Sequence, residues 1–180
     1  LTTILFFTFI MTKAQIVDGV ILNSKESNND PYIELLKQAS ISGQKNENDK
    51  ALDYLNQATT LRPNEAVGYS QRAHLRIKIK DFQNAVDDYT KFIELAPKSR
   101  IMYGYYGRGQ AKFELNDYEG AISDFKESIS LKPDYGYAYY QLGLVYLKIN
   151  DDEKACENFT KAKDLKVKES KKLWKENCSK

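Results

Sequence analysis

Few side chains in this sequence could carry out chemistry. The 180 residues contain one histidine, His74, and two cysteines, Cys156 and Cys178. A zinc site needs three or four His, Cys or carboxylate ligands, and a catalytic cysteine needs a histidine as its base. Neither cysteine belongs to a CxxC pair, and one histidine cannot complete a ligand set. The sequence therefore predicts no metal ion, no cofactor and no Cys–His nucleophile.

Glycines and paired acids do not supply a catalytic site either. Gly104, Gly107 and Gly109 lie in a segment with helical periodicity, and neither GxGxxG nor GxxxxGK[ST] occurs. The acidic pairs Asp87-Asp88 and Asp151-Asp152 fall at helix or turn positions, where we expect them to be solvent-exposed. We predict that the protein is not an enzyme.

Composition bounds the remaining classes. Apolar residues make up 42% of the chain, charged residues 29%, and the formal net charge is +2. This length and apolar share suit one domain with its own core. Because no strong field marks the whole molecule, we expect no nucleic-acid partner.

The first residues have the character of an export signal. Residues 1–11 are uncharged and rich in Leu, Ile and Phe, and Thr12-Lys13-Ala14 resembles a small-x-small cleavage site. Eleven residues are too few to cross a bilayer, which needs about 20. We predict a signal peptide at 1–14, a polar linker at 15–31 and export to the periplasm or the medium. The alternative is an N-terminal membrane anchor, with membrane contact only through this segment if it stays uncleaved.

A repeated unit of 34 residues dominates the rest of the chain. Pro63 and Pro97 are 34 residues apart and Pro133 follows after 36, so Arg100-Ile101 form an insertion. With each proline at position 32, the repeats are 32–65, 66–99, 102–135 and 136–169. The columns of this frame are alanine at position 20 (Ala51, Ala85, Ala121, Ala155), leucine at position 30 (Leu61, Leu95, Leu131, Leu165) and a small residue at position 8 (Ala39, Ala73, Gly109, Gly143).

Each unit predicts two amphipathic helices and a turn. Apolar residues at positions 4, 7–8 and 11–12 form the stripe of the first helix, and those at 17, 20–21, 24, 27–28 and 30 form that of the second. Small residues at positions 8 and 20 allow the paired helices to approach closely. Aspartates in the turns, such as Asp81, Asp117 and Asp151, are placed to cap the second helix. Two such helices cannot bury both stripes alone, so the units must stack.

These repeats resemble the tetratricopeptide repeat (TPR) family. The matching residues are clearest in the last two units: Tyr105, Arg108-Gly109, Asp117-Tyr118, Ala121, Phe125 and Leu131-Lys132-Pro133, then Tyr139, Leu142-Gly143, Tyr146, Ala155, Phe159 and Ala162. The resemblance implies an all-α, right-handed α-solenoid of four helix-turn-helix units with a C-terminal capping helix at 170–180.

In TPR folds the first helix of each repeat lines a concave groove, so the resemblance also implies a binding surface. The groove positions carried over to this chain are Val67, Ser70, His74, Tyr103, Tyr106, Gln110, Phe113, Tyr137, Tyr140, Leu144 and Lys148. Tyr69, Tyr105 and Tyr139, one position before the tyrosine column of the groove, are expected in the core. We predict a scaffold that binds a peptide or protein segment in this tyrosine-lined groove. The alternative is a structural or assembly component of the cell envelope that acts through self-association.

One known TPR ligand is not expected. Some family members bind the C-terminal carboxylate of chaperone peptides with Lys, Asn and Arg at set positions of three successive repeats. In repeats 1–3 those positions hold Leu36, Ser40, Gln71, Tyr103 and Gly107. The resemblance therefore gives no chaperone carboxylate clamp.

The two cysteines are placed to join the last repeat to the cap. Cys156 occupies position 21, a column that faces the next helix, and Cys178 shares the apolar side of the capping segment with Trp174. A disulfide would require an oxidising compartment, which agrees with export. The alternative is two buried free thiols that pack as small apolar residues.

Overall fold

The computed structural model describes residues 16–17, 20–21 and 30–179. The predicted signal peptide at 1–14 and most of the predicted linker lie outside the described residues. Within that linker, β1 (Ile16–Val17) and β2 (Val20–Ile21) pair antiparallel, with Ile16 opposite Ile21. The linker prediction did not include this pair. Its sequence signal is two β-branched pairs separated by Asp-Gly, a dipeptide that favours two-residue hairpin turns.

Nine helices follow in residues 30–179, in four antiparallel pairs and one final helix. They are α1 (Pro31–Gln44), α2 (Asn48–Leu61), α3 (Ala66–Lys78), α4 (Phe82–Leu95), α5 (Ile101–Glu114), α6 (Tyr118–Leu131), α7 (Gly136–Lys148), α8 (Asp152–Asp164) and α9 (Lys168–Cys178). Each helix packs on its sequence neighbours, and the first helices also meet one another, α3 with α5 and α5 with α7. The predicted all-α solenoid is confirmed. None of the helices in the described part of the chain is both long and apolar enough to span a bilayer.

The turns within the repeats share one backbone conformation. Asn46, Lys80, Asn116 and Asn150 all have φ between 59° and 65°, the left-handed region that ends a helix. In each turn the following N–H donates to the carbonyl five residues back, as from Asp117 to Lys112 at 2.9 Å. The same pattern recurs after α8, where Lys166 has φ 66°. This turn starts α9 at Lys168, two residues before the predicted capping segment.

Asparagine, which tolerates positive φ, therefore fixes most of these turns, and the aspartate that follows acts as a cap only in some. Asp117 accepts from the Gly120 N–H at 2.9 Å, and Asp151 accepts from the Lys154 N–H at 3.2 Å. Asp81 does not cap α4: its carboxylate accepts from the Asn84 amide at 2.8 Å instead.

Glycine at position 8 brings the paired helices together. A Cβ added at Gly143 would lie 2.6 Å from the Phe159 ring, and one added at Gly109 would lie 2.9 Å from the Phe125 ring. Both rings are fully buried. Each aromatic ring thus packs directly on the backbone of the partner helix, a contact that any side chain at the glycine would obstruct.

The leucines at position 30 were assigned to the apolar stripe of the second helix, but none of the four is buried. Leu61, Leu131 and Leu165 are 51%, 49% and 36% exposed. Leu61 and Leu131 are the last residues of α2 and α6, and Leu165 directly follows α8. At a helix end the next helix no longer covers the stripe, so the apolar periodicity continues one residue beyond the buried surface.

The prediction that Asp88 is solvent-exposed is wrong. Its side chain is buried and receives two hydrogen bonds from the Arg72 guanidinium, at 2.7 and 2.9 Å, and a third from Arg76 at 2.6 Å. Both arginines lie on α3, and the aspartate lies on α4. A buried carboxylate needs such partners, because an unpaired charge out of water is costly.

The same arrangement recurs one repeat later. Asp124 on α6 is buried and accepts from Arg108 at 2.7 Å, while Lys112 Nζ lies 2.8 Å from the carboxylate. Arg108 also donates to Thr90 on α4 at 3.1 Å, so one guanidinium joins three helices. We call Arg72, Arg76 and Asp88, together with Arg108, Lys112 and Asp124, the ion-pair ladder.

At the C-terminal end an indole takes the place of the guanidinium. Trp174 Nε1 donates to Thr160 Oγ1 at 2.9 Å, as Arg108 does to Thr90 at the junction of α4 and α5. Lys163 lies over the indole ring, 3.6 Å from its centroid. The Cys156 and Cys178 sulfur atoms are at bonding distance, 2.02 Å, with the Cα atoms 5.5 Å apart. Helix α9 is therefore held to α8 by a covalent link and by an aromatic side chain.

Candidate functional site

The first helices of repeats 1–3 surround a cavity with a volume of about 1040 Å³. Its walls include Ser40 and Gly43 from α1, which ends in a left-handed turn beside α3. Six residues of the predicted groove also line it: Val67, Ser70, His74, Tyr103, Tyr106 and Gln110. The cavity is open to solvent, and its floor is made by Leu55, Leu75, Tyr89 and Phe92. The apolar periodicity of α2–α4 thus builds the floor, and α1, α3 and α5 supply the polar and aromatic rim.

A cluster of tyrosines forms one side of this cavity. Tyr106 and Tyr103 on α5 lie with ring centroids 5.1 and 5.9 Å from that of Tyr135. Tyr103 is 48% exposed, whereas Tyr106 is half-buried against Phe125, at 5.9 Å. The side chain of Gln110 donates to the Tyr106 hydroxyl at 3.2 Å.

Burial raises the pKa of Tyr106, and burial together with Tyr106 and Tyr103 raises the pKa of Tyr135. Both hydroxyls are therefore protonated at neutral pH and keep a donor available. Sequence reasoning missed Tyr135, because it precedes α7 at the last position of its repeat and belongs to no helical stripe. The only sequence signal was its closeness to Tyr137.

The structure places the other predicted groove residues outside this cavity. Tyr137 is 48% exposed on α7, and its ring centroid lies 6.2 Å from Tyr135. Tyr140 packs on Phe159 at 6.2 Å, and Phe113 packs on Tyr118 at 6.0 Å. The remaining two are the half-buried Leu144 and the exposed Lys148. The predicted surface therefore divides into the cavity and a second part that consists of Phe113 on α5 and the predicted residues of α7.

Tyr69, Tyr105 and Tyr139 were expected in the core, but none of them is buried. The Arg72 guanidinium lies over the Tyr69 ring at 5.5 Å, and that of Arg108 lies over Tyr105 at 5.4 Å. In both cases the arginine lies three residues later on the same helix, so the ring packs on a guanidinium and not in the apolar core. Tyr139 lines a second, shallower cavity of about 730 Å³ beside the disulfide.

The larger cavity carries charge of one sign. Lys78 and Arg100 line it together with His74, and no aspartate or glutamate among the described residues does. Lys78 Nζ donates to the Gly43 carbonyl at 3.3 Å and to Asn46 Oδ1 at 2.9 Å, both neutral acceptors. Within the part of the chain that the structure describes, no group of three His, Cys, Asp or Glu side chains could hold a metal ion. The arrangement can bind a ligand by aromatic contact and hydrogen bonds.

The stacked helix pairs and the cavity along their first helices define a solenoid-type interaction scaffold. Family models described as tetratricopeptide repeat match residues 35–65, 66–99 and 136–166, and a further TPR repeat model matches 109–150. The chain belongs to the tetratricopeptide repeat family, whose scaffolds are in general non-catalytic. No curated protein matches it.

Solved structures agree on the fold. A crystal structure of MamA protein is similar with a TM-score of 0.70 and 23% identity, over 82% of this chain and 86% of that chain. MamA from Desulfovibrio magneticus RS-1 gives a TM-score of 0.69 and 24% identity, over 76% of each chain. The first TPR of Spaghetti (RPAP3), solved bound to the HSP90 peptide SRMEEVD, gives a TM-score of 0.62 and 22% identity, over 67% of this chain and 94% of that chain.

Proposed function

We propose that this protein binds a peptide, or an extended segment of another protein, in the cavity between α1, α3 and α5. The observation that carries the proposal is the cavity itself. Its volume of about 1040 Å³ lies at the upper end of ordinary ligand pockets, and it combines an apolar floor with a polar rim. Tyr103 and Tyr106 add stiff contact area with hydroxyls for hydrogen bonding.

The similar RPAP3 domain supports a peptide as the ligand class, because its structure contains one. The HSP90 peptide itself is not carried over. Leu36, Ser40 and Gln71 occupy positions where the chaperone clamp has Lys or Asn. We expect a different sequence to bind.

The disulfide supports the further proposal that the protein works in an oxidising compartment, in the periplasm or outside the cell. Cys156 and Cys178 are at bonding distance, and such bonds persist mainly in exported proteins. Intact mass of the native protein with and without reductant tests this point. Two alkylatable thiols in the freshly isolated protein would contradict it.

A displayed library of random peptides tests the binding proposal directly. Clones selected on the wild-type protein are measured again on Tyr103→Ala and on Tyr137→Ala. These two tyrosines are equally exposed, at 48%, but only Tyr103 lines the cavity. Truncating either leaves the helices intact, because neither ring is in the core.

We expect most selected peptides to lose at least tenfold in affinity on Tyr103→Ala and to keep it on Tyr137→Ala. A buried aromatic contact contributes about 1–2 kcal/mol, which corresponds to that factor. Peptides that bind equally to all three proteins would contradict the proposal, and so would a selection that enriches none.

A further inference from the structure

We propose that the peptide bound in this cavity is acidic, with carboxylates near both ends of a segment of about seven residues. The inference rests on the proposed function and adds the chemistry of the ligand. Its basis is the charge of the cavity wall, and the lack of acidic partners for the cations that carry it.

The helices that form the wall are more basic than the repeats as a whole: α1, α3 and α5 carry six basic and two acidic side chains. Across residues 30–148, acidic and basic side chains are equal in number. The cavity nevertheless takes Lys78 and Arg100 from this set and no acid. A ligand in the cavity therefore meets cations and no opposing acidic side chain.

The cations of α3 and α5 and of their immediate flanks divide into two groups. Those of the ion-pair ladder point to buried carboxylates, Asp88 and Asp124. Lys78 is bound only to neutral oxygens, and Arg100 makes no side-chain hydrogen bond or ion pair with any described residue. The two cations that line the cavity therefore carry charge that has no acidic partner within residues 30–179.

Their separation sets the length of the ligand. Lys78 is the last residue of α3, and Arg100 directly precedes α5. Because successive helices are antiparallel, α3 and α5 run in the same direction and the two cations lie at opposite ends of the cavity. Helix α3 has 13 residues, so the ends are about 20 Å apart. An extended peptide covers that distance in about six steps, at about 3.3 Å per residue.

Between the two cations the wall is aromatic and neutral. Ser70, the fifth residue of α3, and Tyr106, the sixth of α5, lie near the middle of this span, with His74 exposed on α3. An apolar residue at the centre of the peptide would contact Tyr106. The ligand class is therefore a short segment with acidic ends and an apolar centre.

Fluorescence polarisation with three synthetic peptides tests this inference. The first is a blocked seven-residue peptide with glutamate at both ends and leucine at the centre. The second has glutamine in place of both glutamates, and the third carries the two glutamates side by side at its centre. Each is titrated against the wild type, Lys78→Gln and Arg100→Gln.

The chain offers a matched control for each cation. Lys148 occupies the same repeat position on α7 as Lys78 on α3, and Lys98 is exposed two residues before Arg100; neither lines the cavity. Lys148→Gln and Lys98→Gln remove the same charge from the molecule, so they report any effect of net charge alone.

We expect the first peptide to bind at least tenfold more tightly than the other two, and this preference to weaken as salt is added. Lys78→Gln and Arg100→Gln should each reduce its affinity about tenfold, and the two controls should not. Equal binding of the glutamate and glutamine peptides would overturn the inference while leaving the groove as a peptide site. Binding of none of the three would also overturn it, and the random library then decides separately whether the cavity binds peptides.

Discussion

Reduction of the Cys156–Cys178 bond should loosen α9 and leave the central repeats unchanged. The bond closes a loop with a sequence separation of 22 residues. The chain-entropy relation assigns a loop of that size about 3.4 kcal/mol at 25 °C. Since these are the only two cysteines in the chain, a reductant acts on this bond alone.

Native-state hydrogen exchange locates the effect. Helices of a solenoid open partly independently, so the lost free energy should appear first in the amides of α9. A loss of about 3.4 kcal/mol corresponds to roughly 300-fold faster exchange. The amides of α3 serve as the internal control, because α3 lies several helices away from α9 in the stack.

The side-chain contacts that survive reduction limit how far α9 can open. The Trp174–Thr160 hydrogen bond and the buried Val167 and Ser170 stay in place after reduction, so α9 should remain helical on average. The double variant Cys156→Ser with Cys178→Ser should match the reduced protein. Equal exchange of the α9 amides in the oxidised and reduced forms would refute the chain-entropy argument. Faster exchange throughout the chain would refute the expectation that the effect is confined to α9.

Three further changes test the packing, the buried charges and the tyrosines. Gly143→Ala should lower the free energy of unfolding by about 1–3 kcal/mol because its Cβ meets Phe159, whereas Gly43→Ala, with nothing within 4 Å, should raise it by about 0.5–1 kcal/mol in urea denaturation. By the same measurement, Asp88→Ala should lower the free energy of unfolding by about 3–5 kcal/mol. Asp87→Ala, at the neighbouring exposed position, should lower it by less than about 0.5 kcal/mol. Similar losses in the two variants would mean that the buried ion pairs of Asp88 contribute nothing to stability. Above about pH 10 stability should fall, because burial raises the pKa of Tyr135 above its value in the unfolded chain, so the unfolded state releases its proton first. Tyr135→Phe should reduce that pH slope, and an unchanged slope would contradict the role of burial.

Much of the fold could be predicted because one period fixes many positions at once. Alanine and leucine recurring 34 residues apart set the faces of every helix pair, and the cysteine column pointed correctly to the helix that follows. The predicted apolar face of the second helix was too long at its C-terminal end. Leu61 and Leu131 continue the apolar pattern to the last helical residue, beyond the reach of the next helix.

The candidate site was harder to predict, because its features depend on contacts between repeats. Asp88 is buried only because Arg72 and Arg76 approach from α3, and a single acid in a helix does not show this. Arg100 reaches the cavity from the two-residue insertion, outside the repeat frame. Tyr135 joins the aromatic cluster from a loop position that no helical periodicity includes.

The two ends of the stack are anchored unequally. Helix α1 forms one wall of the cavity but takes no part in the ion-pair ladder. Its hydrogen bonds to the second repeat include one from the Gly68 N–H to the Tyr32 hydroxyl at 3.0 Å and one from Lys78 Nζ to the Gly43 carbonyl at 3.3 Å. The opposite end is fastened covalently. Because a ligand in the cavity would contact α1 as well as α3 and α5, we expect binding to stabilise the first repeat, whose attachment to the stack is noncovalent.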